Sequence, residues 1–394
     1  MTSPLRRPAF RYFLAGRLVS LLGSSMAPVA LAFAVLDAAG DPADLGIVLA
    51  ARMIPMLCFV LIGGAVADRW PRRTVLVAAN LGGGLTQGAV AVVLITGHYD
   101  LLLIGALSAA NGVLDAFTSP ALRGLVPELV PADQLRKANA LLSSVRNATK
   151  VIGPALAGVL VATAGSGTTI AVDAVSYVLA AALLARLPAS PTTAPRRSDV
   201  LAGVWRGWGE FRRVRWVWVV TVSSAVMNLA QVGVWQVLGP SLTGQSELWG
   251  VVLSVRGVGL LVMSALMYRV VVRRLLATGQ LLSGLGALPL FALGFGVQPG
   301  WLLIAAFVAG VGFSVSGVAW ETSLQEHVDR GMLSRISSID DLLSFVAIPV
   351  GMVAVGPLAE LFGAGRVAVV SGVCHLCAAW SSLGFKEVRV LKSV

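Results

Sequence analysis

Twelve apolar stretches run through this chain, at residues 10–36, 45–67, 75–96, 101–119, 140–164, 169–187, 216–238, 250–271, 275–296, 301–320, 342–362 and 367–385. Each is close to the ~20 residues that a helix needs to cross ~30 Å of hydrocarbon. Charged residues make up 12% of the sequence and hydrophobic ones 57%, with a mean hydropathy of +0.84. A soluble domain carries about a quarter charged residues, so this chain cannot cover a water-facing surface. The expected fold is an all-α membrane protein with twelve transmembrane helices. Abundant Gly, Ala and Ser inside the stretches suit close helix packing.

Lys and Arg in the connections set the orientation. With the N-terminus inside, the inner connections carry Arg6, Arg7 and Arg11, then Arg69, Arg72 and Arg73, then Arg123, Arg136 and Lys137. Farther along they carry Arg212, Arg213 and Arg215, then Arg273 and Arg274, Arg330 and Arg335, and Lys386 and Arg389. The outer connections hold only Arg366, beside acids such as Asp37, Asp44, Asp100 and Glu360. Both termini are therefore expected in the cytoplasm. The net charge of +11 is explained by topology, and no nucleic-acid partner is implied. The first apolar run is too long for a cleaved signal and reads as an uncleaved helix.

One long polar connection divides the chain into expected halves of residues 1–187 and 216–394, joined by a linker at 188–215. The linker's Trp205, Trp208 and Phe211 with Arg206, Arg212 and Arg213 suit an amphipathic helix on the inner leaflet, or a plain tether. The halves echo each other. Asp44 to Arg52 resembles Glu247 to Arg256, and the run from Leu135 through Gly153, Pro154 and Gly158 aligns with Leu333 through Gly351 and Gly356. A parallel repeat of six-helix, pseudo-symmetric halves follows.

Between the second and third stretches stands Gly64-Ala65-Val66-Ala67-Asp68-Arg69-Trp70-Pro71-Arg72-Arg73. It resembles the G-x-x-x-D-R-x-G-R-R signature of the major facilitator superfamily, with Pro71 in place of the second Gly. Gly153-Pro154-Ala155-Leu156-Ala157-Gly158 is similar to that family's antiporter motif, G-P-x-L-G-G. The run Pro120 to Arg123, with Val126 to Pro131, resembles the drug:proton antiporter branch that includes macrolide and enterobactin exporters. The resemblance implies the major facilitator fold and alternating access, with Asp68 facing the positive N-terminal end of helix 11 as an inner gate. Arg69, Arg72 and Arg73 would complete that charge network, or serve only topology. Asp68→Asn is expected to slow or abolish transport while leaving membrane insertion intact; wild-type turnover in the inserted fraction would refute the gate.

Ionisable groups at membrane depth are functional candidates because burying them is costly. Asp115 lies about one turn from the cytoplasmic end of the fourth stretch, and Arg146 and Lys150 share a face of the fifth. An Asp115–Arg146 pair is expected, acting either as a structural stitch or as a proton-sensitive switch. Arg52 and Arg256 occupy equivalent repeat positions about 10 Å below the outer surface. They either snorkel to Asp44 and Glu247 or act as outer-gate partners or anion contacts. Asp173 is a second proton-coupling candidate, unless it simply pairs with Arg52. By resemblance the substrate cavity lies among helices 1, 4, 7 and 10. Its candidates are Asn111, Asn228, Gln231, Trp235, Phe313, Trp320 and Glu321, a polar-aromatic set suited to an amphiphilic molecule or to helix packing.

Cys374-His375-Leu376-Cys377 lies within the last stretch with only Cys58 elsewhere, too few ligands for a zinc site. No phosphate loop and no triad-like constellation is present, so neither ATP drive nor an enzyme is expected, and no cofactor. The expected protein is a monomeric exporter of small molecules, coupled to protons, in the inner membrane of a bacterium. The rivals are a dedicated siderophore or metabolite exporter, a proton-coupled importer, and a non-transporting membrane sensor.

Overall fold

A computed structural model describes the chain apart from residues 1–3, 132–133, 189–207, 210, 268–271, 329 and 392–394. It also leaves aside the side chains of 60–69, 119–120, 123–124, 127, 136–137, 140, 330–335 and 338. Among the described residues there are helices and no strands, and twelve helices are long and apolar enough to cross a membrane. They are α1 (Pro8–Ala39), α2 (Pro42–Arg69), α3 (Arg72–Ile95), α4 (Leu101–Leu129), α5 (Leu135–Ala164) and α6 (Ser166–Leu184). They continue as α7 (Arg215–Thr243), α8 (Ser246–Met267), α9 (Leu275–Gly294), α10 (Pro299–His327), α11 (Arg330–Phe362) and α12 (Ala364–Ser381). A short helix, α13 (Lys386–Val390), follows.

The hydropathy windows locate every span but shorten several helices. The fourth stretch ends at residue 119 by composition, whereas α4 runs ten residues farther, to Leu129. The fifth starts at Leu135 and the eleventh at Arg330, both earlier than the apolar windows. Backbone hydrogen bonding does not stop where the side chains turn polar, so helices project beyond the apolar band.

Among the described residues, two helices depart from α geometry internally. A π-helical turn occupies Val234–Leu238 in α7, and a 3-10 segment occupies Gly284–Ala287 in α9. Such departures inside long helices often mark functional sites.

Among the described residues, the six with positive φ are all glycines: Gly40, Gly97, Gly165, Gly244, Gly296 and Gly363, at +61° to +86°. One stands in each connection that the charges assign to the outside. Gly165 alone joins α5 to α6 at φ +86°, a conformation that a Cβ would strain, so a one-residue hairpin there demands glycine.

The chain forms two compact units, Met1–Arg196 with Gln245–Gly250, and Arg197–Gly244 with Val251–Val394. In the first, α2 lies along α4 while α6 packs against both α1 and α3. Phe10, Phe13, Leu76, Leu125, Leu184 and Leu187 close one end of it. In the second, α7 lies along α11 and α12, and Phe211, Trp216, Leu276, Leu324, Ile336 and Val388 form the matching cluster. The expected amphipathic helix of the linker is thereby corrected at its end. Phe211 and Trp216 are buried in protein because they fill this core, while Trp205 and Arg206 lie outside the described residues.

Candidate functional site

In the first unit the central feature is an ion pair between α2 and α4. Arg52 Nη2 and Nε donate to Asp115 Oδ2 at 2.8 and 3.2 Å. Backbone proximity makes it possible. Gly112, one turn before Asp115, offers no Cβ, and any Cβ there would overlap the Arg52 carbonyl. Asp115 is the fifteenth residue of a 29-residue helix, so the pair sits at mid-helix.

This corrects the expected Asp115–Arg146 pair. α4 meets α5 only briefly, and Arg146 is exposed, reaching Ser143 Oγ at 3.5 Å. Lys150 is exposed on the same face. The snorkelling expectation fails at Arg52 as well, because Asp44 is already occupied. Tyr99, in the connection before α4, donates to Asp44 Oδ2 at 3.2 Å. Burial, and then the neighbouring Asp44 carboxylate, hold the Tyr99 hydroxyl above the ordinary phenol range.

Asp173 on α6 is wholly buried, and the expected Arg52 partner goes to Asp115 instead. Its hydrogen-bond partners are neutral. Gln87 Nε2 of α3 donates to Oδ2 at 3.0 Å, and Ser176 Oγ lies 3.4 Å from Oδ1 while donating to the Asp173 carbonyl at 2.7 Å. Gly23 brings α1 against this carboxylate, since a Cβ there would stand 2.6 Å from Asp173 Oδ1. One turn on, Tyr177 accepts a hydrogen bond from Ser24 at 3.3 Å.

At the signature, the Asp68 and Arg69 side chains lie outside the described residues. Arg72 Nη1 pairs with Glu128 Oε1 at 2.7 Å, tying the start of α3 to the end of α4, and Arg73 donates to the Ala185 carbonyl. In the antiporter motif, Gly153 lets α5 approach Ser25 of α1, and Gly158 meets the Ser246 backbone, part of the same compact unit. Pro154 lies within α5.

The second unit uses the equivalent positions differently. Gly310 of α10 admits the Arg256 carbonyl of α8 just as Gly112 admits that of Arg52. Phe313, however, stands 198 residues after Asp115, the same step that separates Gly112 from Gly310. Among the described residues, Arg256 therefore meets no carboxylate. Its Cζ lies 4.8 Å from the Trp235 ring centroid and 4.7 Å from that of Phe313. Glu247 accepts a hydrogen bond from Ser246 at 3.3 Å.

His375, the same step after Tyr177, stacks edge-on against Phe313 with centroids 6.1 Å apart. Its Nε2–H donates to the Ser283 carbonyl at 3.1 Å, because a carbonyl can only accept. Gly286, in the 3-10 segment, leaves room for both rings.

Of the expected cavity residues, the structure thus gathers Trp235 and Phe313 around Arg256. The others go elsewhere. Asn111 is buried and donates to Thr86 at 3.0 Å, and Asn228 donates to the Ser344 carbonyl at 2.9 Å. Gln231 is buried, and Glu321 is exposed. Trp320 Nε1 donates to Asp340 Oδ2 at 2.9 Å, and Thr221 Oγ1 lies 2.7 Å from Oδ1. The sequence reading overlooked Asp340 as a buried carboxylate because it precedes the apolar window of α11. It overlooked Gln87 and Arg17 as well. Arg17 lines a small cavity with Ser20, Asn80 and Thr118, and its signal was a cation well inside the first apolar stretch, six residues beyond Arg11.

Comparison with known proteins agrees with this architecture. The sequence profile of the Major Facilitator Superfamily matches residues 13–352. The multidrug efflux pump Tap of Mycolicibacterium fortuitum is 27% identical over 379 residues, covering 92% of each chain. Macrolide efflux protein A of Streptococcus pyogenes is 24% identical, covering 96% of each. In three dimensions the chain resembles the nucleoside transporter NupG, with a TM-score of 0.76 at 12% identity over 95% of this chain and 98% of that one. It also resembles the E. coli xylose transporter XylE, with a TM-score of 0.72 at 15% identity over 98% and 97%. At these identities the solved structures speak to fold alone.

Proposed function

This chain belongs to the Major Facilitator Superfamily, and from that premise we propose that it exports small amphiphilic compounds in exchange for protons. It is a multi-pass membrane transporter of small molecules rather than an enzyme. The observation that carries the proton reading is Asp173, a carboxylate with no exposure whose hydrogen-bond partners are an amide and a hydroxyl. A carboxylate at membrane depth held only by neutral donors is a functional candidate, and we read it as the group that takes up and releases the coupled proton. Arg52–Asp115, on α2 and α4, supplies a charge pair whose balance responds to that proton.

In the proposed cycle Asp173 takes a proton from outside, access alternates, and the network around Asp68 reforms at the inner gate. Names of relatives at 24–27% identity support the export direction and the drug-like cargo. A monomer in the cytoplasmic membrane of a bacterium, with both termini inside, completes the reading.

Ethidium accumulation in cells making the wild type or Asp173→Asn, with and without a protonophore, tests it. Wild-type cells should accumulate several-fold less dye, the protonophore should erase the difference, and Asp173→Asn should behave like the protonophore at equal protein level. Extrusion by Asp173→Asn at the wild-type rate would remove Asp173 from the coupling path. Extrusion indifferent to the protonophore would remove the proton.

A further inference from the structure

We propose that Arg256 is a binding site for the carboxylate of an aromatic acid, so that the cargo of this transporter includes amphiphiles with an anionic head. The inference rests on the reading of the chain as a small-molecule carrier and adds the chemical class of one cargo.

The repeat supplies the argument. Both units bring an arginine carbonyl against a helix glycine, at Arg52 with Gly112 and at Arg256 with Gly310. In the first unit the residue one turn on is Asp115, which neutralises Arg52 at 2.8 Å. In the second it is Phe313, so the counter-ion built into one repeat is missing from the other.

Arg256 is half-buried within a span, and none of its guanidinium N–H groups has a hydrogen-bond acceptor among the described residues. A guanidinium at such depth calls for an anion, and its planar fork of donors matches a carboxylate. What surrounds it is aromatic. Trp235 and Phe313 approach it with their rings, and the edge-on His375 backs Phe313.

Cation–π attraction holds the guanidinium but satisfies none of its N–H donors. A ligand carboxylate would satisfy them, and the two rings would offer its aromatic body an apolar wall. Trp235 is presented from the π-helical turn of α7, an irregularity of the kind that accompanies binding sites.

Equilibrium dialysis of purified full-length protein in neutral detergent tests this, with 2-naphthoate and its uncharged analogue 2-naphthamide as probes. Naphthoate should be retained about tenfold or more over naphthamide, as expected of a charge-assisted fork. Arg256→Gln should abolish the preference. Phe313→Asp should abolish it too, by recreating the neutralised pair of the first repeat, with the protein still monodisperse on gel filtration.

Equal retention of the two probes by wild type overturns the proposal whatever the variants do, as does a preference that survives Arg256→Gln. Dialysis reads binding without transport. Loss of proton-driven ethidium export with an intact naphthoate preference would therefore refute the proposed function and leave this site standing.

Discussion

Asp115→Asn is expected to cost roughly 3 kcal/mol of stability, the lower end of what breaking a buried ion pair costs. The Arg52 and Asp115 side chains retain 23% and 28% exposure, which places the pair toward that end. The loss comes less from the missing attraction than from leaving Arg52 charged at mid-helix with no acceptor. Arg52→Gln should cost a similar amount, stranding the carboxylate instead.

The double variant Arg52→Gln with Asp115→Asn should recover at least half of either loss, because neither charge then remains. Thermal unfolding of the detergent-purified proteins reads all three. Singles as stable as wild type, or a double worse than the sum of the singles, would show that the two side chains do not act as a pair. Arg146→Gln is the internal contrast. An exposed arginine whose contact is Ser143 at 3.5 Å should change stability by less than about 0.5 kcal/mol.

The second large effect is steric. Gly112→Ala places a methyl group into the Arg52 carbonyl, and Gly310→Ala does the same to Arg256. In both cases the obstacle is helix backbone, which cannot turn aside like a side chain, so the helices must separate. Overpacking of this kind costs about 1–3 kcal/mol. Gly112→Ala should lie at the top of that range, because separating α2 from α4 also lengthens the ion pair.

Gly105 on the same helix and Gly317 on α10 meet nothing within 4 Å of an added Cβ. Alanine at either should leave yield and melting temperature unchanged. A Gly112→Ala protein as stable as Gly105→Ala would mean that the helices do not approach as closely as described.

The contrast between these glycines marks the reach of the sequence. Nothing in the letters around Gly105 and Gly112 distinguishes them, since both lie in one apolar helix. Two turns apart, they share one face of the helix, and their difference lies in where α2 comes close: the Arg52 carbonyl meets Gly112, and nothing stands within 4 Å of a Cβ at Gly105. Asp115 carries the same lesson. An apolar window ending near residue 119 put it close to the cytoplasm, where Arg146 is the nearest cation by depth. The helix runs to Leu129, and its partner helix is α2. The number of spans is readable from composition, but the depth of a single charge and the neighbour it faces are not: Arg52 and Asp115, assigned to opposite ends of the membrane, meet at 2.8 Å.

Helix number and the apolar bands were legible because hydrocarbon thickness and the cost of buried charge act on each segment by itself, whatever it packs against; the superfamily was legible from the signature at residues 64–73. The repeat was legible for the same reason, since its matching residues recur along the chain. The pairing of Arg52 with Asp115, the isolation of Asp173 among neutral donors, and the aromatic surroundings of Arg256 were decided only by tertiary structure. Each depends on the rotation and contact of helices distant in sequence. A backbone carbonyl meeting a glycine across two helices sets that rotation, and it leaves no periodicity in either one.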